Sequence, residues 1–431
     1  MRKIIRIIGI MAVAIVTFVG CGKSDNNEGG RKTINLQQDK SYCSGLKVAC
    51  DSQNGEYSRL YYYDYKSGKE IFACGQANCT HDIDDFKDGK INCNAIVVGQ
   101  IKYPFAYKNK IYYFMDNYNS ATLWKCDTDG ANKKEITTLD YELALCNDAF
   151  YDGNIYVAAY KSESTDEGNN TSMKTNPYGE VFKINIESGK IEQISDVGKN
   201  ADVAFSYVTG FKNMLYFKTI VRKNSYQEGN FKNFNDYMEW YTSDKFTHKE
   251  EIERLGLSDD VYSYNMDNGK LEKMDIGFES NYEPYKGIKN MDSYYVIGYS
   301  KDTLYYLDAT MGNYTVYSYN LKSGERKELI SSFLIIDAET DDKIFLTTLE
   351  LDEATKDDNL PKADLNKEPE YYIIDMESGK VTKQNYGEKG KILYVTDENE
   401  KGLLSYIKDY DESYNTIDEH SLTEIPMDKV K

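Results

Sequence analysis

Two cysteines and a histidine stand close together in Cys74-Gly75-Gln76-Ala77-Asn78-Cys79-Thr80-His81, and a third cysteine, Cys93, follows. Thiolate sulfur and imidazole nitrogen are the donors a tetrahedral zinc ion takes, and a Cys3His set is closed, with no position left for a substrate. A disulfide within the trio plus one free thiol is the competing reading, and export favours it. The chain has eight cysteines. Cys21, which the leader assigns to lipidation, leaves seven, an odd number that cannot pair completely within one chain. The zinc reading resolves this arithmetic by leaving Cys43–Cys50 and Cys126–Cys146 as disulfides. Under either reading the segment is a staple on a loop and not a reaction centre.

Little else in the chain points to catalysis. The histidines are His81, His248 and His420, and none sits in a Ser-His-Asp context or beside a Gly-x-Ser-x-Gly elbow. Phosphate-cradling glycine loops are missing. Carboxylates number 71, so pairs suited to glycoside cleavage arise by chance and carry little weight. Asp127-Thr128-Asp129-Gly130 hints at calcium but lacks the rest of an EF-hand loop and reads as a hairpin turn. The aromatic run Tyr226, Phe231, Phe234, Tyr237, Trp240 and Tyr241 is a candidate platform for a sugar or peptide, with Tyr237, Trp240 and Tyr241 as ligand-binding residues. Their i, i+3, i+4 spacing equally suits the packed face of a lid helix, which is the plainer expectation. Thr247-His248-Lys249-Glu250 is a capping box that starts a second short helix, to about Leu255.

The elements that must carry these residues repeat. Forty tyrosines and only six prolines suit strands, where the ring packs and the hydroxyl stays wet. A short apolar strand recurs at 47–50, 110–114, 154–157, 214–217, 303–306, 343–346 and 402–406. After it comes an alternating strand, a glycine turn and a further strand, seen at 60–69, 123–133, 181–190, 261–270, 316–326 and 371–380. A degenerate copy is expected over 414–426. Period-two alternation gives each strand one inward face. Gly68, Gly130, Gly189, Gly269, Gly324 and Gly379 supply the turn conformation. The repeat predicts an all-β propeller of seven blades, with six as the alternative, in one domain over 33–431. The long insertions, 161–179, 218–260 and 350–369, all follow the second strand of a blade and therefore emerge on one face. The first of them, rich in Ser, Asn, Thr and Glu, is expected to be a solvated loop.

The start of the chain supplies an address. Arg2, Lys3 and Arg6 precede an apolar run to Val19, and Gly20-Cys21 follows, so residues 1–20 read as an export signal. Residues 21–32 are a polar tether. Loss of Arg2, Lys3 and Arg6 takes the formal charge from −19 to −22. A body this acidic repels nucleic acid and anionic lipid. Membrane contact is therefore expected through acyl chains on Cys21.

The Gly20-Cys21 junction resembles the lipobox of bacterial lipoproteins, in which that cysteine is diacylated and placed on the cell membrane. Together with the Cys-x4-Cys-x-His segment, Cys93-Asn94-Ala95 and the Ser-Gly-Lys hairpins, the chain resembles a group of propeller lipoproteins of gut clostridia. It departs at Ala77, where that group usually has proline, and in a longer gap between Cys79 and Cys93. The resemblance implies a propeller at the outer cell surface and implies no activity. The expectation is a ligand-binding or protein-interaction scaffold for a glycan, a peptide or a surface protein. The alternative is an extracellular polysaccharide hydrolase or lyase, marked by a convergent carboxylate pair in the central channel.

Overall fold

The computed structural model describes residues 33–426 apart from short segments, the longest being 83–91, 277–293, 355–361 and 385–390. Cys21, the leader and the tether lie outside the described residues, as does Cys146.

The chain is an all-β propeller built from successive antiparallel units. The first holds β2 (Lys40–Cys43), β3 (Leu46–Gln53), β4 (Tyr57–Asp64) and β5 (Lys69–Phe72), and β6 (Ile96–Val98) also pairs with β4. The second holds β7 (Gln100–Tyr107), β8 (Lys110–Asn117), β9 (Ser120–Asp127) and β10 (Lys134–Leu139). After β11 (Glu142–Leu143) the third holds β12 (Asp148–Tyr151), β13 (Asn154–Glu167), β14 (Asn170–Asn185) and β15 (Ile191–Gln193). Further units occupy 202–274, 294–332, 334–384 and 391–426. First strands of successive units touch from the first unit to the second and from the third onward to the last, and Ile34–Leu36 touches those of the first four units, so these strands face a common axis.

Burial explains the composition strand by strand. Second strands are sandwiched between neighbouring sheets and bury both faces: Ile155, Tyr156, Val157, Ala158 and Ala159 all have 0 % exposure. They read as continuous apolar runs for that reason. Third strands lie nearer the rim and alternate, as in Glu370–Asp375. Units pack face to face through Leu60, Ile111 and Tyr113 between the first and second, and through Phe114, Phe150 and Phe182 between the second and third. Phe217 with Val181, Leu304 with Tyr216, and Leu346 with Val316 continue the series.

The outer hairpins share a turn with two parts. Its glycine takes φ of 69–74° at Gly130, Gly189, Gly269, Gly324 and Gly379, a region open to glycine at no steric cost. An Asn or Asp opens the turn and its side chain accepts from backbone N–H groups ahead: Asn185 from Ser188 at 2.9 Å, Asn320 from Ser323 at 2.9 Å and Asp375 from Ser378 at 2.7 Å. Two expectations change. The polar stretch 161–179 continues the strands of a long hairpin, with Glu167 opposite Asn170. Residues 416–426 form one strand against Gly402–Tyr410, not a degenerate hairpin.

One strand has no counterpart in the repeat. β1 (Ile34–Leu36) runs between the first and third units, with Ile34 opposite Phe150, Leu36 opposite Asp148, and Leu36 also opposite Ser41. Asn35 clasps the fourth unit: its amide donates to the Gly210 carbonyl at 3.2 Å, and its oxygen accepts from the Gly210 N–H at 2.8 Å. A Cβ on Gly210 would lie 2.5 Å from Thr33 Cγ2. β1 thus joins the innermost strands of three units.

Beside β1 lies a buried polar group. Lys102 pairs with Asp116, and Asp148 is fully enclosed. Asp148 Oδ1 accepts from the Ala158 N–H at 3.1 Å, whereas Oδ2 has no hydrogen-bond partner among the described residues. Burial pushes this carboxyl well above the usual carboxylate range, against that bond and the Lys102 charge. The folded chain therefore favours the protonated acid, and stability falls as pH rises from the ordinary carboxylate range, near 3.9, toward the raised folded value. Asp148→Asn is expected to unfold at higher denaturant than the parent at pH 8. The gap should close by about pH 4. Equal pH profiles for the two chains would remove this account.

Candidate metal centre

β5 and β6 are two halves of one outermost strand. β4 pairs with β5 from Tyr61 to Asp64 and with β6 from Tyr57 to Arg59. Between the halves the chain leaves the sheet at Ala73 and returns at Ala95. Both ends are pinned to Leu60: the Ala73 N–H donates to its carbonyl at 2.9 Å, and its N–H donates to the Ala95 carbonyl at 2.8 Å. The cysteine segment is this excursion. It interrupts the rim strand of the first unit.

The excursion brings Cys74, Cys79, His81 and Cys93 together, with one ligand atom of each within 4.8 Å of all the others. His81 Nδ1 lies 3.3 Å from Cys93 Sγ. Zn–S bonds of about 2.3 Å put tetrahedral sulfurs about 3.8 Å apart, so the spacing suits such an ion. The backbone is arranged for thiolates. The Gln76 and Asn94 N–H groups face Cys74 sulfur, and the Ala95 N–H faces Cys93 sulfur. Burial works to raise Cys74, but these N–H groups and the other two thiols hold it below its ordinary value. Burial, then Cys79, pushes Cys93 up to about 12. Three crowded sulfurs without a cation can thus share little negative charge, and a divalent ion would remove that conflict. Burial, then the Arg59 charge, lowers His81, which keeps the imidazole neutral and able to ligate.

Neighbours fix each donor. His81 stacks on Phe72 with centroids 4.7 Å apart. Its carbonyl accepts from Arg59 at 3.3 Å, and Arg59 is itself held by Asp51 at 3.1 Å. Asn78 and His81 adopt φ of 64° and 60°, left-handed values that fold the loop back on itself. The second unit completes the site. Its turn at Gly130 lies so close that an added Cβ would stand 2.1 Å from the Ala73 carbonyl and 2.5 Å from that of Asn94. Lys133 donates to the Gly130 carbonyl at 3.1 Å and to that of Asn94, which sets an ammonium beside the sulfur cluster. Three thiolates, an imidazole and a divalent ion carry one net negative charge, which Lys133 offsets. The set can hold a structural ion that clamps two blades at the rim.

Cys74, Cys79, Cys93 and Cys126 are free thiols. The Cys126–Cys146 bridge is therefore not formed, and the side chain of Cys43, the expected partner of Cys50, lies outside the described residues. Cys50 donates to the Ile101 carbonyl at 3.5 Å, and Cys126 is buried in the core between the first two units. Sequence reasoning missed Lys133 and Gly130 as parts of this site. The Asp129-Gly130 turn was visible, but nothing in the chain announced what it packs against.

The aromatic candidates lie on α1 (Phe234–Tyr241), beside α2 (His248–Leu255). Thr247 caps α2 by accepting from the Glu250 N–H at 3.2 Å, as the capping box predicts. The rings pack largely within this two-helix lid: Trp240 is 5.2 Å from Phe231, Tyr241 is 4.6 Å from Phe246, and the Tyr237 hydroxyl donates to Glu251 at 2.6 Å. The Arg254 guanidinium sits 3.5 Å from the centroid of Phe231. The lid is a small core of its own.

No family model and no curated protein matches the chain. Among solved structures, it resembles an acylaminoacyl peptidase of Pyrococcus horikoshii at 12% identity and a TM-score of 0.47, over 90% of this chain and 52% of that one. It also resembles the β-propeller domain of the trilobed protease of Pyrococcus furiosus, at 9% identity and a TM-score of 0.43, over 91% of this chain and 99% of that domain. TolB of Acinetobacter baumannii follows at 11% identity and a TM-score of 0.31, over 88% and 80%. The chain spans about half the length of the peptidases it matches.

The purified protein is expected to carry about one zinc per chain by elemental analysis. Cys79→Ser should lose the metal and several degrees of melting temperature, because a structural zinc site adds folding energy. A metal-free protein with a mass-mapped bridge among Cys74, Cys79 and Cys93 would overturn this assignment.

Proposed function

We propose that this chain is a lipid-anchored propeller on the outer face of a bacterial cell membrane, where it serves as a ligand-binding or protein-interaction scaffold. In this reading the units close as a seven-bladed ring, zinc at Cys74, Cys79, His81 and Cys93 staples the first two blades, and diacylated Cys21 holds the ring to the lipid.

The direction of β1 carries the proposal. Thr33 hydrogen-bonds to the Lys212 carbonyl, in the turn between the first and second strands of the fourth unit. Leu36 ends opposite Asp148, where β12 begins. The chain therefore comes into the ring on the face of short turns and runs toward the face of long insertions. Twelve tether residues, 21–32, reach at most about 40 Å. An anchor at Cys21 then turns the short-turn face to the membrane and the lid, the long hairpin and the 350–369 insertion outward. Elaborated loops on a rigid scaffold are where binding usually resides. The acidic body favours neutral or cationic partners over polyanions. β1 stands between innermost strands where a channel enzyme would need open space for its substrate, which supports the scaffold over the hydrolase.

Epitope tags placed in the lid at 243–245 and in the short turn at 187–189 test the orientation. On intact protoplasts an antibody should reach the lid tag at least several-fold better, and Cys21→Ala should release the protein from the membrane fraction. Equal or reversed labelling would end this reading.

A further inference from the structure

A cleft of about 340 Å³ opens between the fifth and sixth units, at the ends of strands that face the insertion-bearing side. Pockets of this size take one or two rings of a small ligand. Phe333 and Leu351 give it an apolar wall, Tyr372 adds an aromatic face, and Glu350, Glu353 and Glu370 supply carboxylates. Two of the carboxylates, Glu350 and Glu370, are held in place. The Tyr372 hydroxyl donates to Glu370 Oε2 at 2.6 Å, and Lys383 lies 2.5 Å from Glu370 Oε1. Lys367 pairs with Glu350. The lining holds three glutamates and one lysine, which disfavours a polyanion. A ligand cation would have to compete with lysines already in place. Hydroxyl donors need only a lone pair, and each carboxylate offers about four such sites. Hydrogen bonds to charged acceptors are also the stronger kind.

We propose that this cleft binds a neutral pyranose unit of an extracellular polysaccharide, its C–H face on Tyr372 and its hydroxyls on the fixed carboxylates. A pyranose combines an apolar face with a rim of donors, which matches an aromatic wall beside oriented acceptors. The proposal deepens the scaffold reading and rests on it, since the cleft lies on the side taken to face outward.

The test uses the full mature lipoprotein in a sugar-free detergent, titrated calorimetrically with maltohexaose, xylohexaose and chitohexaose, and with polygalacturonate and pentalysine as charged controls. At least one neutral hexasaccharide should bind and polygalacturonate should not. Tyr372→Ala should weaken binding at least tenfold, and Glu353→Gln, at the exposed rim, severalfold. Ser188→Ala, in a turn on the opposite face, should leave it unchanged. If Tyr372→Ala fails to fold, Glu353→Gln decides. Binding of none of the neutral sugars, binding indifferent to the cleft variants, or pentalysine as the ligand lost with those variants would overturn the proposal. The tag experiment reads orientation without any ligand, so loss of the sugar site and loss of the anchored-scaffold reading are told apart.

Discussion

Everything in this fold depends on sheets that cannot bury their own faces. A twisted sheet of three or four strands exposes apolar side chains above and below, and only another sheet stacked on each side covers both. Ile155 to Ala159 show the consequence, since a strand with no exposed residue has neighbours on every side. Full burial of one large apolar side chain contributes about 1.5–3 kcal/mol, and each interface here holds several. The stacking also brings the first strands together around one axis. That arrangement leaves room for β1 at the centre and makes the rim the least protected part of each unit.

How much of this was legible follows from whether a residue's neighbours are near it in sequence. Second strands and outer hairpins are local, and their patterns were read correctly: an apolar run such as Asn154-Ile155-Tyr156-Val157 and a turn such as Ser188-Gly189 need no knowledge of the rest of the chain. The Asn or Asp that opens each turn was also in plain view, at Asn185, Asn265, Asn320 and Asp375, although glycine drew the attention. The stretch 161–179 was misread because polar composition was taken for a loop, whereas cross-strand backbone pairing does not depend on apolar side chains. β1 was illegible, because three residues whose fullest pairing is with a strand more than a hundred positions away leave no local period.

The cysteine cluster shows the same division. Donor types and spacing singled out four residues that the structure brings together, because zinc chemistry is written in residue identity. The placement was not written there. That the segment splits an outer strand follows from β4 having one partner strand in two pieces, a fact about pairing and not about composition. Once placed, the cluster explains two otherwise odd residues. Gly130 must lack a side chain because two carbonyls occupy the space, and Lys133 is half-buried because its charge answers the sulfurs.

The two faces of the ring differ for a reason that precedes any ligand. In an antiparallel unit the short hairpin turns between the first two and the last two strands share a face, so that face tolerates little added chain. The other connections are free to grow, because a longer loop costs only slowly increasing closure entropy. The lid, the extended hairpin and the 350–369 segment all grew there. β1 breaks the symmetry in the opposite sense, since it begins beside Lys212 on the short-turn face. The strand order thus brings the chain in on the face opposite the grown loops, and entry point and variable surface lie on opposite sides.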